Sequence, residues 1–338
     1  MEYRRFGATD LTVSEVGFGC AGLGAVFSDV TKTEMLRTLH EARDAGVTFF
    51  DTADMYTQGE SEKLLGEAFR RGREGVIIAS KAGYALPAQR KAAARLKPLL
   101  RPLVRRLGLK REHLPAAVRG SLSQDFSPGY ILKAADGSLK RLKTDYLDLY
   151  QLHSPPTSVL EAGEVFGALD TLRSQGKIRY YGVSCETVED ALICLRYPGV
   201  SALQLRLNLL DQRVLDEAIP RAAERGVGVI ARECYAGGLL ARPIDMTTLE
   251  EVMLDPAERE ARSGELAAYN RLAEQQACSL PALALRFVLG VDGVSVALLG
   301  MRTETHLRDN LRHLAAPALS TEGIHALREK DRRESTRL

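Results

Sequence analysis

The strongest constraint on the fold of this chain is a repeated alternation of short apolar runs with longer stretches of helical period. Each apolar run fits one strand, and each longer stretch fits one helix. Eight such pairs follow one another with no break in composition. They predict a closed (β/α)8 TIM barrel of the α/β class, in a single domain over residues 1–338. The predicted strands cover residues 16–20, 47–51, 75–81, 146–153, 178–184, 202–204, 226–232 and 294–300.

Two segments lie outside this repeat. The first is a predicted insertion at 84–120, in which positions 90 to 111 hold nine Lys or Arg residues and no acidic residue. Such a basic loop suits an acidic or phosphorylated substrate, a membrane surface or a partner. It equally suits a solvated lid, or a subunit contact through which the protein would oligomerise. The second segment is the polar C-terminal tail at 328–338, which is predicted to be frayed because it has few apolar residues to pack.

Charge and hydropathy argue against several classes of protein. A formal net charge of +2 argues against a nucleic-acid binder. No apolar run reaches the length of about eighteen residues that a membrane span needs, and no signal peptide is evident, so a cytoplasmic protein without membrane partners is expected. The five cysteines form no CxxC pair. We therefore expect reduced thiols and no metal site.

Polar residues end six of the predicted strands. The C-terminal ends of barrel strands meet at one face, where active sites are built. These side chains are therefore expected to line a common mouth, and Tyr56, in the loop after the second strand, is expected to join them. The six strand-ending residues are Asp51, Lys81, His153, Ser184, Gln204 and Arg232.

Asp51, Tyr56 and Lys81 suit acid–base chemistry. A buried carboxylate such as Asp51 needs a partner, which Lys81 can supply. A nearby ammonium also stabilises a phenolate, so Lys81 is expected to lower the pKa of Tyr56 from its ordinary value of about 10. These residues leave open an alternative, a barrel lyase or isomerase in which Lys81 forms a Schiff base.

The sequence GFGCAG at 17–22 matches the dinucleotide pattern GxGxxG after a predicted strand. In a Rossmann unit a helix would begin inside this motif, so that its N-terminus meets the pyrophosphate. Here eight further residues precede the predicted helix start at Thr31. We therefore interpret the segment as a barrel loop in which Gly19 and Cys20 permit close approach by a cofactor.

Four motifs together resemble the aldo-keto reductase superfamily, and the resemblance extends over nearly the whole chain. They are, in order, DTADMYTQGESEKLLGEAF, SKAGY, SLKRLKTDYLDLYQLHSP and GVSCE. The resemblance implies a catalytic tetrad of Asp51, Tyr56, Lys81 and His153. In this tetrad Tyr56 would be the general acid for carbonyl reduction by a nicotinamide cofactor. His153 would orient the carbonyl or relay the proton, and Asp51 would hold Lys81.

The resemblance also implies cofactor contacts. Ser184 and Gln204 match residues that bind the nicotinamide carboxamide, but Cys185 replaces an asparagine that is common there. Arg232 stands where an aromatic residue often stacks on the nicotinamide, and a planar guanidinium can stack in its place. The segment LLGMRTETHLRDNL resembles the one that holds the adenosine phosphate. Its matching residues are Gly300, Arg302, Thr303, His306, Asp309 and Asn310.

The choice of cofactor depends on that last segment. Many members of the family bind the 2′-phosphate of NADP with an arginine at the position of His306, and this chain lacks it. Arg302 is expected to take over the contact from the start of the helix, with Thr303 donating a hydrogen bond. NADP(H) is therefore favoured over NAD(H).

The leading hypothesis is an NAD(P)H-dependent oxidoreductase that interconverts a small-molecule carbonyl (aldehyde, ketone or sugar) with an alcohol. Neither the direction of the reaction nor the substrate follows from these residues. A second class stays open, a cofactor-binding regulatory or interaction subunit that retains the barrel. The basic insertion is the argument for it, and the intact tetrad is the argument against it.

Overall fold

The computed structural model describes residues 1–24, 30–85, 123–242 and 255–335. Eight parallel strands form a closed barrel whose order around the axis follows the order along the chain. The predicted (β/α)8 fold is thus confirmed. The barrel strands are Val16–Gly19, Phe49–Asp51, Ile77–Ala82, Leu147–His153, Ile178–Ser184, Val200–Arg206, Gly228–Arg232 and Val294–Gly300.

The observed strand bounds match the prediction most closely at Ile178–Ser184 and Val294–Gly300. The sixth barrel strand is longer than its apolar run, because it extends from Val200 to Arg206. It pairs with a neighbour on each side, and that pairing satisfies the backbone groups of its polar end as well. The apolar pattern of the sequence does not show this backbone pairing, so it predicts too short a strand.

Helices follow every barrel strand and cover its outer face. Side chains start several of them: Thr31 and Glu34 form a capping box before the first helix, and Thr187 with Asp190 forms another. None of the described helices is long and apolar enough to cross a membrane. The helices are Lys32–Asp44, Glu60–Ala68, Pro128–Leu142, Thr157–Ala162, Glu164–Ser174, Val188–Cys194, Ala218–Glu224, Pro256–Gln275, Leu280–Leu289, Glu304–Leu314 and Thr321–Ser335.

The two segments outside the repeat differ in outcome. The predicted insertion begins with a short strand, Tyr84–Ala85, that pairs antiparallel with Ser123–Gln124. The rest of the insertion lies outside the described residues. The polar tail is helical as far as residue 335, because the helix Thr321–Ser335 continues into it, and the expected fraying stays a prediction. Its Arg, Lys and Glu residues are good helix formers, and the buried Leu327 packs the preceding turn against the barrel.

An N-terminal hairpin closes one end of the barrel. Strands Tyr3–Arg5 and Thr12–Ser14 pair antiparallel, and the fully buried Phe6 stacks on Phe49 with ring centroids 6.0 Å apart. Arg4 donates a hydrogen bond to the carbonyl oxygen of Val294, at the start of a barrel strand. The hairpin therefore fills the N-terminal end and leaves the C-terminal ends of the strands for a ligand. The sequence analysis did not identify this hairpin.

Candidate active site

The polar residues that end the strands meet at the C-terminal end of the barrel, as the sequence predicted. Strand alternation explains which side chains turn inward. In Leu147–His153, Tyr150 and Leu152 pack outward against the helices, whereas Gln151 reaches the interior and bonds to Asp51. His153 follows two residues later and lies on the same side.

Asp51 and Lys81 form a buried ion pair at the centre of the site. Their Oδ2 and Nζ atoms lie 2.5 Å apart, and each residue is 1% exposed. Lys81 also donates to the carbonyl oxygen of Thr52 at 3.1 Å. Gln151 and Gln204 donate to the other carboxylate oxygen of Asp51, at 3.3 and 3.0 Å. Asp51 thus has the partner that its burial requires.

The pKa of Lys81 shows that the ammonium form is favoured. Burial by itself would lower this pKa, but the charges of Asp51 and Tyr56 outweigh burial and raise it above the ordinary value. A Schiff-base nucleophile needs the opposite, a lysine that loses its proton readily. The Schiff-base alternative is therefore disfavoured.

Tyr56 lies beside this ion pair. The Nζ atom of Lys81 is 5.2 Å from the centroid of the Tyr56 ring. Burial raises the pKa of Tyr56 above its ordinary value, although the charge and a hydrogen bond of Lys81 act in the opposite direction. The expectation of a net lowering by Lys81 is therefore corrected, because desolvation of the phenolate is the larger effect. The phenol keeps its proton at neutral pH.

His153 stands between two aromatic rings. Its centroid lies 5.6 Å from that of Tyr56 and 5.0 Å from that of Tyr84, and both rings meet it nearly at right angles. Burial and the charges of Lys81 and Arg232 lower the pKa of His153 to about 3. The imidazole is therefore neutral at physiological pH. Its Nδ1 atom is buried and has no hydrogen-bond partner among the described residues.

Three residues near the tetrad were not identified as site residues from sequence. Gln151 bonds to Asp51, and Tyr84 packs on His153; the two-residue spacing before His153 was a usable signal for Gln151. Asp54 donates its N–H to the carbonyl oxygen of Lys81, and its Oδ1 atom is buried without a partner among the described residues. Burial, reinforced by the charge of Glu62, raises the pKa of Asp54 to about 7.

The expected carboxamide contacts lie along the fifth and sixth strands. Ser184 is 2% exposed and directly opposite both His153 and Gln204 in the sheet. Gln204 already donates to Asp51 through its side-chain amide. The Cys185 thiol lies 3.9 Å from that of Cys194 on the following helix, in the outer layer. A side-chain contact from Cys185 to a cofactor is therefore not supported.

The loop after the first strand approaches the tetrad closely. Gly19 ends that strand, where an added Cβ would lie 3.0 Å from the carbonyl oxygen of Leu299. Cys20 is fully buried, and its N–H donates to the carbonyl oxygen of Asp51 at 2.9 Å. The Cys20 thiol packs in the core, so any approach of a cofactor to this residue would be to its backbone. Gly19 remains partly accessible.

Arg232 lies at the mouth in a network of charges. Its guanidinium pairs with Glu233 and lies 2.9 Å from Glu186, and it donates to the carbonyl oxygen of Cys185 at 3.3 Å. Ser154, next to His153, donates to Glu186 at 2.6 Å. These contacts fix the guanidinium, which is mostly buried, beside the tetrad.

The segment that is expected to hold the adenosine phosphate lies after the last barrel strand. An added Cβ at Gly300 would meet no atom within 4 Å, so open space adjoins this strand end. Arg302 is exposed, and its aliphatic part lies over Gly22, where an added Cβ would be 2.2 Å from the arginine Cδ. Thr303 caps the helix by accepting from the N–H of His306 at 3.1 Å.

The later residues of this segment have partners within the protein. Asp309 pairs with Arg312 at 3.0 Å. The buried Asn310 accepts a hydrogen bond from the hydroxyl of Tyr235 at 3.1 Å, which ties the helix to the loop after the seventh strand. The described residues contain no group of three or more His, Cys, Asp or Glu side chains arranged to hold a metal ion.

Comparisons with known proteins agree with this geometry. The family model for the Aldo/keto reductase family matches residues 15–332. The oxidoreductase YqkF of Bacillus subtilis (strain 168) is 30% identical over 99% of this chain and 98% of its own length. The NADH-specific methylglyoxal reductase of Escherichia coli (strain K12) is 26% identical over 91% of this chain and 92% of its own.

A solved structure gives the same result. The holo form of the aldo-keto reductase AKR11C1 from Bacillus halodurans superposes with a TM-score of 0.75 at 28% identity, covering 97% of this chain and 96% of that one. The match of the family model over most of the chain, together with the barrel and the cluster of polar strand ends, shows that this protein belongs to the aldo-keto reductase family.

Proposed function

We propose that this protein is an NAD(P)H-dependent oxidoreductase that interconverts a small carbonyl compound with its alcohol, with Tyr56 as general acid and base. The observation that carries the proposal is the cluster itself. A protonated phenol lies beside a buried ammonium and a neutral imidazole whose Nδ1 atom has no partner among the described residues. A carbonyl oxygen placed between Tyr56 and His153 would complete the hydrogen bonding of both.

Each tetrad residue has a role that follows from its surroundings. The phenol of Tyr56 donates its proton to the carbonyl oxygen as negative charge develops there. The ammonium of Lys81 stabilises the phenolate that remains, and Asp51 fixes the position of that ammonium. The neutral His153 orients the carbonyl by a hydrogen bond rather than by a full charge. The raised pKa of Tyr56 favours reduction at neutral pH, because the residue starts protonated.

The residues present fit a nicotinamide cofactor. When bound, the cofactor would supply or accept the hydride at its C4 atom. Ser184 and Gln204 would hold the carboxamide, and the fixed guanidinium of Arg232 would lie against the ring. The backbone at Gly19 and Gly300 would allow close approach, and the N-terminus of the helix Glu304–Leu314 would face a phosphate.

We further propose a preference for NADP(H), read by Arg302. The exposed Arg302 stands at the start of that helix, and the Thr303 hydroxyl, which accepts from His306, still has its own hydrogen to donate. Glu304 would repel a phosphate, but Arg37 pairs with it. His306 is exposed, and partial desolvation together with the charge of Arg302 lowers its pKa, so the ring contributes no charge at neutral pH. The methylglyoxal reductase relative is NADH-specific, so a direct titration with both cofactors decides the preference of this protein.

The regulatory-subunit alternative rests on the basic insertion at 84–120, of which residues 86–120 lie outside the described residues. The buried, fully assembled tetrad supports the enzyme instead. Titratable groups with perturbed pKa values that cluster at one site are typical of active sites, and this favours the enzyme.

The test is turnover, followed by absorbance of the reduced nicotinamide. Methylglyoxal, 4-nitrobenzaldehyde, simple ketones and aldose sugars would be offered with NADPH and with NADH. Tyr56→Phe should reduce turnover by about 10² to 10⁴, the usual contribution of general acid catalysis, and leave cofactor affinity near the wild-type value. Turnover within about threefold of wild type would contradict the role of Tyr56.

A further inference from the structure

The backbone that follows Tyr56 has an unusual conformation. Thr57 has φ 48° and ψ 30°, and Gln58 has φ 63° and ψ 42°, so both adopt the left-handed region; Gly59 follows with φ 86°. Glycine enters this region freely, but a β-branched residue such as Thr57 meets steric strain there. The strain lies immediately next to the proposed proton donor.

The Thr57 side chain makes hydrogen bonds that a glycine would lack. Its hydroxyl oxygen lies 2.7 Å from the carbonyl oxygen of Leu23 and 2.7 Å from that of Tyr56. Leu23 is fully buried in the loop after the first barrel strand. The hydroxyl therefore links the Tyr56 loop to a fixed part of the neighbouring loop.

The surroundings leave little room for another arrangement. Ser61, at the start of the next helix, donates to the carbonyl oxygen of Cys20 at 2.9 Å, so the two loops are tied at a second point. A Cβ added at Gly24 would lie 3.2 Å from the Thr57 hydroxyl oxygen and 2.8 Å from the Cβ of Glu60. Strained residues persist where the surroundings over-determine them, and such residues concentrate at functional sites.

We propose that Thr57 is a positioning residue for Tyr56: its hydroxyl holds a strained left-handed turn against the loop at 20–24, and this fixes the phenol for proton transfer. The inference rests on the proposed role of Tyr56 as general acid. It explains why a threonine occupies a position where glycine would be less strained. The strained turn lowers the local stability of the loop, and it aligns the phenol of Tyr56 for proton transfer.

Four variants separate the hydroxyl from the strain. Thr57→Ser keeps the hydroxyl, Thr57→Ala removes it and keeps a side chain, and Thr57→Gly removes both the hydroxyl and the strain. Gln58→Asn is the matched control, because asparagine tolerates the left-handed region and the Thr57 hydroxyl stays in place. Each would be assayed with the aldehyde that the wild type reduces fastest among methylglyoxal, 4-nitrobenzaldehyde and glyceraldehyde.

Relief of the backbone strain should raise stability, whereas loss of the hydroxyl should lower activity. Thr57→Gly should melt at a higher temperature than Thr57→Ala, yet both should lose about tenfold to a hundredfold in kcat, since small misplacements of a reacting group have effects of that size. Cofactor affinity should stay within about threefold of wild type, and the solvent deuterium isotope effect on kcat should rise, because proton transfer becomes slower. Thr57→Ser and Gln58→Asn should keep kcat within about threefold.

Two outcomes would overturn the inference. If Thr57→Ala and Thr57→Gly keep wild-type kcat, the hydroxyl does not position Tyr56. If they lose cofactor affinity as much as kcat, Thr57 supports the fold of the loop in general. Tyr56→Phe, measured alongside, distinguishes the two proposals: an active Tyr56→Phe rejects the general-acid role, whereas an inactive Tyr56→Phe with an active Thr57→Ala rejects only the positioning role.

Discussion

The buried Asp51–Lys81 pair allows a prediction of stability whose size follows from the contacts. Lys81→Met keeps most of the apolar length of the side chain and removes the ammonium. Asp51 Oδ2 would then lose its partner at 2.5 Å, while Oδ1 would keep the amide donors of Gln151 and Gln204. The carboxylate would remain 1% exposed with no opposite charge against it.

Removing one partner of a buried ion pair typically costs about 3 to 5 kcal/mol, because the other charge stays desolvated. The two amide donors offset part of that cost, so we expect the free energy of unfolding to fall by about 3 kcal/mol. The double variant Asp51→Asn/Lys81→Met removes both charges and keeps an oxygen for the two glutamines. It should therefore be more stable than Lys81→Met alone, by about 1 to 2 kcal/mol.

Urea denaturation at pH 7, followed by circular dichroism, measures the three proteins. Lys81→Ala is not a substitute for Lys81→Met, since it would add a cavity to the lost charge. A loss below about 1 kcal/mol in Lys81→Met would refute the view that Asp51 depends on Lys81. A double variant less stable than the single one would show that the charge of Asp51 is satisfied without the ammonium.

Three further predictions test the cofactor end, a buried acid and the closed end of the barrel. Arg302→Ala should weaken NADPH binding by about tenfold to a hundredfold, the worth of a charge-assisted hydrogen bond of roughly 1.5 to 3 kcal/mol, and leave NADH binding unchanged; equal losses for both nucleotides, in fluorescence titrations, would contradict it. The pKa of Asp54 is raised from 3.8 to about 7, so this carboxyl keeps its proton to a higher pH in the folded state than in the unfolded state. The free energy of unfolding of the wild type should therefore fall as the pH rises from about 4 to 7. Asp54→Asn lacks this titration, so its free energy of unfolding relative to wild type should rise by roughly 3 to 4 kcal/mol between pH 4 and pH 8, as measured by urea denaturation. Stability profiles that run parallel over this pH range would disprove the assignment. Phe6→Ala should cost about 3 to 5 kcal/mol, because a fully buried ring on Phe49 is lost, and calorimetry showing an unchanged melting temperature would argue against the hairpin as part of the core.

Much of this protein could be predicted from the sequence because the signals are local. The alternation of strand and helix periods can be recognised in short segments of the sequence. It predicted the barrel and the approximate bounds of its strands. The C-terminal ends of parallel strands meet at one face, so residues as distant as Asp51 and Gln204 could be expected together. The catalytic role of the tetrad stays a prediction until turnover is measured.

Only the tertiary structure decided how each side chain is surrounded. The direction of the Tyr56 pKa shift depends on the balance between burial and Lys81, and no sequence window reports burial. The same holds for the Cys185 thiol, which packs against Cys194 in the outer layer, and for Arg232, which pairs with Glu186 of another loop as well as with the adjacent Glu233. The Arg232–Glu186 contact joins residues that follow two different barrel strands, and only the closed barrel brings those strand ends together.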